Sequence, residues 1–236
     1  MRKFACAAAL CLVAGTASAS IVTVYDGVAA GKASFDATAA GAGATVSTDV
    51  WSSLGSGAEI DRGDYKIVRN DGHNISPLNY GTLSGKVISI NPDGSGPGIG
   101  AFDSGITFIF DTAVNALGFE LGDWGTCCHP SGLYMSFDDG APINIFTAQI
   151  SDNVNFPSQA DPNWPVTEVF IAAFDDSGSF SKVSFWGDGF GEYLVAGGSV
   201  KYALLDAGTL PGVPLPAGGL LLASGLGLLA LRRKRG

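Results

Sequence analysis

Short runs of β-branched and aromatic residues recur along residues 20–212 and constrain the fold of this chain more than any other feature. They are spaced roughly 8–12 residues apart and separated by clusters of Gly, Pro, Asn, Asp and Ser, which is the pattern of strands joined by turns. No window outside the two termini shows helical periodicity. The sequence therefore predicts an all-β protein built on a single antiparallel β-sandwich of the jelly-roll type.

The clearest predicted strand covers residues 114–121, where Leu117, Phe119 and Leu121 share one face of the strand. The other predicted strands are 21–25, 65–68, 86–90, 105–110, 133–137, 143–146, 167–171, 182–186, 193–195 and 199–204. Residues 29–57 are rich in Ala, Gly, Ser and Thr with weak periodicity, so they predict loops with at most short strands.

The first 19 residues have the organisation of a secretory signal peptide. A basic start is followed by the apolar run 4–14, and Ala17 and Ala19 supply small residues before a cleavage site that leaves Ser20 first. The chain is therefore predicted to be exported, with a β-sandwich ectodomain over residues 20–212.

The last 24 residues, 213–236, predict a membrane-spanning helix with a basic stop. The motif Val213, Pro214, Leu215, Pro216, Ala217 precedes the uncharged stretch 218–231, and the chain then reads Arg232, Arg233, Lys234, Arg235. The stretch approaches the roughly 20 residues that a bilayer needs only if it includes the motif. Basic residues stay cytoplasmic, which places the body of the chain outside. The alternatives are a plain anchor and a processed tail, and the extended backbone at the two prolines favours processing by a protease.

These features resemble the VPLPA-CTERM sorting signal, a variant of the PEP-CTERM signals of Gram-negative bacteria. The resemblance implies recognition by an exosortase, a membrane protease, and delivery to the cell surface or extracellular matrix. It covers about a tenth of the chain and concerns sorting, not the activity of the cargo. Residues 108–121 also resemble a pattern in PEP-CTERM-type surface sandwiches, whose cores are similar to lectin-like and carbohydrate-binding jelly rolls.

The predicted ectodomain is strongly acidic. It holds all 22 acidic residues and seven of the 13 basic ones, so its formal charge is −15 against −9 for the whole chain. Such a body repels nucleic acid and anionic lipid headgroups and attracts divalent cations. Solubility alone is the simpler explanation of this charge.

Three groups of residues are candidates for binding. A calcium site could use the oxygens of Asp123, Asp138, Asp139, Asp188 and Glu192, although Asp138-Asp139 followed by Gly also fits a hairpin turn. Aromatic residues beside Gly, Pro or Asp could stack on sugar rings, or could pack the rim of the sandwich. These aromatics are Trp124, Trp164 and Trp186. The adjacent Cys127 and Cys128 form either a strained vicinal disulfide or two free thiols.

The sequence contains no recognised catalytic motif, such as a nucleophile elbow, a zinc-protease helix or a phosphate loop. We therefore expect a non-enzymatic surface or matrix protein with a structural or adhesive role in an exopolysaccharide layer or biofilm. The first alternative is a calcium-assisted carbohydrate-binding module, and the second is a secreted polysaccharide hydrolase.

Overall fold

The computed structural model describes residues 21–90, 99–124, 131–148, 168–187 and 194–210. These residues form two antiparallel sheets, a helix and one short 3-10 helix, Ile99–Ser104. The strands are β1 (Ile21–Asp26), β2 (Ser47–Val50), β3 (Glu59–Asp61), β4 (Tyr65–Arg69), β5 (Val87–Ile90), β6 (Ile106–Val114), β7 (Ala116–Gly122), β8 (Ser131–Phe137), β9 (Ile143–Ala148), β10 (Val169–Phe174), β11 (Phe180–Gly187) and β12 (Leu194–Ala203). The predicted mainly antiparallel β architecture is confirmed.

The two sheets have six strands each. In the first, the order is β1-β10-β7-β12-β2, and β5 also pairs with β12. In the second, the order is β3-β4-β6-β11-β8-β9. Neighbours in these lists are mostly distant in sequence, so the fold depends on long-range pairing rather than on consecutive hairpins.

The main core lies between the two sheets. Leu117, Phe119 and Leu121 of β7 point into it, as their alternation predicts, and they meet Phe108 and Phe185 from the opposite sheet. The Phe119 ring lies 5.4 Å from the Phe108 ring and 5.0 Å from the Phe185 ring. Because the apolar faces of both sheets are buried against each other, the chain forms a β-sandwich.

The helix α1 (Val28–Gly41) corrects the prediction of loops over residues 29–57. Its buried residues are Gly31, Phe35 and Ala39, spaced four apart, so the buried stripe contains one large side chain and carries little hydrophobic signal. Phe35 packs against Phe170 and Phe174 on the outer face of the first sheet. The approach is close, because a Cβ on Gly31 would lie 2.3 Å from the Cβ of Phe170.

Strand β12 is continuous where the sequence predicts two strands, 193–195 and 199–204. Its first part pairs with β5 and its last part with β2, on the same side, while β7 lies along its other side. The register with β7 shifts between Gly197 and Val200. This bulge lets one long strand change partners without ending.

Membrane-spanning helices were sought only among the described residues, and none of the helices there is both long enough and apolar enough to cross a bilayer. The predicted signal peptide and C-terminal helix lie outside those ranges.

Candidate functional site

A groove opens at one end of the sandwich, between the two sheets. It encloses about 280 Å³. Its lining comes from the turn before β4, the second half of β6 and the end of β12: Gly63, Asp64, Phe110, Asp111, Thr112, Val114 and Tyr202. A concave site that combines apolar and polar groups is where a small ligand would bind.

Pairing between β4 and β6 brings the two groove carboxylates together. Tyr65 lies opposite Phe110, and the backbone N–H of Asp111 donates to the carbonyl of Asp64 at 3.0 Å. Asp64 and Asp111 are therefore cross-strand neighbours at the end of this ladder, and both are exposed. Together they form an acidic rim along one side of the groove.

Aromatic rings form the floor of the groove. The Tyr202 ring lies 5.5 Å from the ring of Phe110 and 5.7 Å from that of Tyr65. The Tyr202 hydroxyl donates to Asp64 Oδ2 at 2.6 Å. Burial, followed by this hydrogen bond, raises the pKa of Tyr202 to about 12. The phenol therefore stays neutral at physiological pH and links the floor to the acidic rim.

A polar network behind the groove fixes the position of Tyr65. The Trp51 indole donates to the Tyr65 hydroxyl at 2.7 Å, and that hydroxyl donates to Asp49 Oδ2 at 2.7 Å. Arg62 binds the same carboxylate through two nitrogens, at 2.9 and 2.6 Å. Burial alone would raise the pKa of Asp49, but the hydrogen bonds from Arg62 and Tyr65 outweigh it and lower that pKa. The polar groups of Trp51, Tyr65 and Asp49 behind the groove are thus hydrogen-bonded to one another and to Arg62.

Asp138 and Asp139 form a hairpin turn, which was the alternative to a calcium site. Their φ angles are 46° and 60°, and the N–H of Gly140 donates to the carbonyl of Phe137 at 2.8 Å. Asp138 Oδ1 accepts hydrogen bonds from the backbone N–H groups of Ser181 and Lys182, on strand β11. The carboxylates of this turn are therefore used to join β8 to β11.

Asp123 stands apart from that turn, at the end of β7. It is half-buried with φ 58°, and burial, partly offset by a hydrogen bond from Tyr80, raises its pKa. Within the described ranges no three His, Cys, Asp or Glu side chains are grouped so that they could hold a metal ion.

Trp124 and Trp186 are buried, which favours the packing alternative over the prediction that they stack on sugar rings. Trp124 is 0% exposed and meets the Phe146 ring edge-on at 5.6 Å. Trp186 is 1% exposed and stacks on the Tyr134 ring at 5.9 Å. Neither presents a free face to a sugar ring, because the chain uses both rings as core area.

The remaining predicted site residues lie outside the described residues. They are Ala17, Ala19 and Ser20 of the signal cleavage site, Cys127 and Cys128, Trp164, Asp188, Glu192, the motif Val213, Pro214, Leu215, Pro216 and Ala217, and the basic end Arg232, Arg233, Lys234 and Arg235.

Sequence reasoning missed the groove residues. Asp64 precedes a predicted strand and Asp111 follows another, so each resembles an ordinary strand-end residue. Tyr202 lies within a predicted strand and resembles core. The pairing of β4 with β6 brings Asp64 and Asp111 together. These strands are separated by about 40 residues, and no local sequence pattern reveals that they pair.

Comparison with known families and curated proteins finds no family model and no curated protein that matches this chain. Among solved structures, a variant of a family 29 carbohydrate-binding module is 13% identical, with a TM-score of 0.38, over 72% of this chain and 99% of that module. Another variant, complexed with cellulohexaose, is 14% identical, with a TM-score of 0.37, over 72% and 98% of the two chains. At this identity and TM-score the likeness carries no information on a ligand, so the groove is interpreted from its own residues.

Proposed function

We propose that this chain is an exported, non-enzymatic carbohydrate-binding protein of the cell surface or extracellular matrix. Its groove would hold part of a polysaccharide chain. The observation that carries the proposal is the composition of the groove, in which an aromatic floor lies beside two exposed carboxylates and a threonine hydroxyl. The adhesive role expected from the sequence follows if each copy binds the matrix polysaccharide through this groove.

The chemistry of a sugar ring matches that lining. A pyranose has an apolar C–H face that packs on an aromatic ring, here that of the half-buried Tyr202, which lies against the buried Phe110. Its edge carries hydroxyl groups, which can donate to the carboxylates of Asp64 and Asp111 and bond with Thr112. The volume of about 280 Å³ is near the lower end of small-molecule sites, so it suits one sugar unit. A strong attachment would then need many copies along one polymer.

Binding fits the groove better than hydrolysis does. A glycosidase places its two carboxylates on opposite sides of the bond that is cleaved. Asp64 and Asp111 lie side by side on neighbouring strands, along the same rim. Asp64 is also hydrogen-bonded to the Tyr202 hydroxyl, which supports a positioning role for both groups.

We expect removal of groove groups to weaken polysaccharide binding. Asp111→Asn should raise the dissociation constant for a bound oligosaccharide about tenfold or more, because a hydrogen bond to a charged group contributes about 1.5–3 kcal/mol. Tyr202→Leu should raise it about tenfold, because it removes the ring on which the sugar packs. The ligand would first be found on a glycan array and then titrated by calorimetry with the purified full-length chain. Asp103→Asn is a matched control, since this exposed aspartate lies before β6, at the end away from the groove.

Two outcomes would contradict the proposal. One is that no polysaccharide on the array binds the folded wild-type protein. The other is that both groove variants, with thermal unfolding unchanged, bind as tightly as Asp103→Asn does.

The sorting half of the proposal rests on the termini of the sequence. The signal peptide would direct export, the C-terminal helix would hold the chain in the inner membrane, and an exosortase would then process it near the motif 213–217. No nucleic acid partner is expected, because the ectodomain is acidic.

Intact mass and cell fractionation test this half. The protein from its own cells should begin at Ser20, end near the motif and be found outside the cell. Pro214→Ala/Pro216→Ala should keep the basic end and accumulate in the inner membrane, whereas Pro211→Ala, just before the motif, should be processed normally. A wild-type protein that retains Arg232 to Gly236 would show that the tail is only an anchor.

A further inference from the structure

The groove lies at the end of the sandwich from which the chain runs on toward its C-terminal tail, residues 213–236, and we propose that this groove end faces the membrane until the tail is removed. The groove is then closed to large molecules in the anchored protein, and processing opens it. This inference rests on the proposed function, because it concerns the control of the same groove and uses the anchoring predicted for the tail.

The register of the first sheet places the chain ends and the groove together. One row of paired residues crosses β1, β10, β7 and β12 at the groove end: Ile21, Phe174, Ala116 and Ala203. The groove residue Tyr202 directly precedes this row in β12. The described chain therefore begins at the groove end, and β12, its last strand, ends there.

The chain after β12 stays fixed to the groove end as far as Leu210. The Leu205 N–H donates to Asn115 Oδ1 at 2.6 Å, and Asn115 Nδ2 donates to the Leu205 carbonyl at 3.0 Å. Further along, the Leu210 N–H donates to Asp176 Oδ2 at 2.6 Å. Asn115 connects β6 to β7, and Asp176 lies between β10 and β11, so both side chains belong to turns at the groove end. Leu205 is buried, and Leu210 packs against the same apolar cluster.

Only Pro211 and Gly212 separate Leu210 from the motif that begins at Val213. An extended chain covers at most about 3.6 Å per residue, so Leu210 lies within about 11 Å of Val213. The apolar stretch is long enough to cross a bilayer only if it includes the motif, so we expect Val213 at the membrane surface in the anchored protein. Strand β12, with ten residues, is about 33 Å long. The tether is therefore too short for the sandwich to turn its other end toward the membrane.

A membrane at this distance covers the opening of the groove. Asp111 and Thr112 line that opening and are exposed at the tethered end. A matrix polysaccharide comes from outside the cell and must pass between the sandwich and the lipid headgroups to reach them. Removal of the tail cuts the tether, and the acidic ectodomain is then repelled by anionic headgroups. Processing therefore releases the protein and opens its groove in one step.

The test measures how fast a bulky amine-reactive polyethylene glycol modifies one introduced lysine on the tail-bearing chain in phosphatidylcholine vesicles. Thr112→Lys reports on the groove, and Asp103→Lys, before β6 at the far end, is the matched control, since both positions are exposed. Each variant is made with and without a flexible Gly/Ser linker of about 20 residues between Pro211 and Gly212, which spans about 25 Å on average. Loss of the unmodified tryptic peptide gives the rate.

Thr112→Lys should react about tenfold more slowly without the linker than with it, because only the orientations that tilt the groove away from the membrane can react. Asp103→Lys should react equally fast in both chains. Equal rates for Thr112→Lys with and without the linker overturn the inference, and so does an equal slowing at both positions. A chain that does not float with the vesicles overturns it as well, together with the anchoring on which it rests.

The inference and the binding half of the proposed function can fail separately. If the linker does not change the rate at Thr112→Lys but the released ectodomain binds a polysaccharide on the glycan array, the binding proposal stands and the inference fails. If the groove position is shielded as expected but no polysaccharide on the array binds, the membrane-facing orientation stands and the binding proposal fails.

Discussion

Lys32→Met should lower the free energy of unfolding by about 3–5 kcal/mol, because it leaves a buried carboxylate without its cation. Glu120, on the outer face of β7, has a fully buried side chain. Its Oε2 accepts a hydrogen bond from the Ser84 N–H at 2.7 Å, and its other oxygen is paired with the Lys32 ammonium of helix α1. Methionine keeps much of the length of the lysine and its apolar packing, so the lost charge dominates the change. Urea unfolding followed by circular dichroism measures it.

Two further variants test whether the charge is the cause. Glu120→Gln removes the charge and keeps a polar acceptor for Ser84, while the Lys32 side chain is 22% exposed and can turn to solvent. Its cost should be about 1–2 kcal/mol, the range of a weakened buried hydrogen bond. Lys32→Met combined with Glu120→Gln should be more stable than Lys32→Met alone, since no ionised carboxylate remains buried.

The exposed pair Lys66–Glu59 supplies the matched control. Its side chains are 38% and 49% exposed, so solvent screens the pair and Lys66→Met should leave the urea midpoint nearly unchanged. If Lys32→Met and Lys66→Met lower the free energy of unfolding equally, the burial of Glu120 is not the reason that its ion pair with Lys32 stabilises the fold.

Glu120 also shows how far sequence reasoning reaches. The alternation in β7 correctly places Leu117, Phe119 and Leu121 in the core and Glu120 on the other face. Period-two alternation reports which residues share a face, but it does not report what covers that face. Here helix α1 and the segment around Ser84 cover it, so a residue that looks solvent-exposed is buried. The covering elements come from distant parts of the chain.

Helix α1 was not predicted from the sequence, for a related reason. A surface helix is recognised by a stripe of large apolar residues, and α1 buries one, Phe35, between small residues. Its alanines favour a helix locally, but glycine and β-branched neighbours weaken that signal. Strands with many Val, Ile and Phe were predicted well, whereas the short polar strands β2 and β3 were not. Those strands exist because β12 and β4 offer them edges to pair with.

Predicting the groove would require the same kind of information about contacts between distant segments. Its polar groups come from positions 64, 111–112 and 202, and each is unremarkable within its own segment. By contrast, two of the tryptophans that looked most suited to a ligand are buried, since a sandwich core needs large rings. In this chain, local composition predicts the strands, and the meeting of β4, β6 and β12 creates the groove.

Gly197→Ala should lower the free energy of unfolding by about 4 kcal/mol, a large part of the stability of a typical domain. Gly197 has φ 134°, a conformation that side chains rarely adopt, and strain of this kind costs about 1–3 kcal/mol. A Cβ there would also lie 2.1 Å from Cζ3 of the Trp51 ring. Overpacking a filled core costs about 1–3 kcal/mol more. Urea unfolding of the purified variant gives the total.

The large effect follows from what the Gly197 bulge does for the sheet. Trp51 is fully buried, and its backbone N–H donates to the Gly198 carbonyl at 2.9 Å. Lys86 bonds to both residues through its backbone, at 2.8 and 2.9 Å. The bulge, the tryptophan and the start of β5 therefore form one hydrogen-bonded junction at the point where β12 changes partners. The indole N–H of Trp51 also donates to the Tyr65 hydroxyl at 2.7 Å, so the ring cannot move away without breaking that hydrogen bond.

Two comparisons divide the effect into its parts. Gly43 has φ 74°, and a Cβ added there would meet no other part of the chain within 4 Å, so Gly43→Ala measures backbone strain alone and should cost about 1 kcal/mol. In a Trp51→Ala background the ring is gone, and adding Gly197→Ala should then cost only the backbone strain, about 1–3 kcal/mol. If Gly197→Ala costs as much in that background as in the wild type, the strain of the bulge, and not its contact with Trp51, makes glycine necessary here.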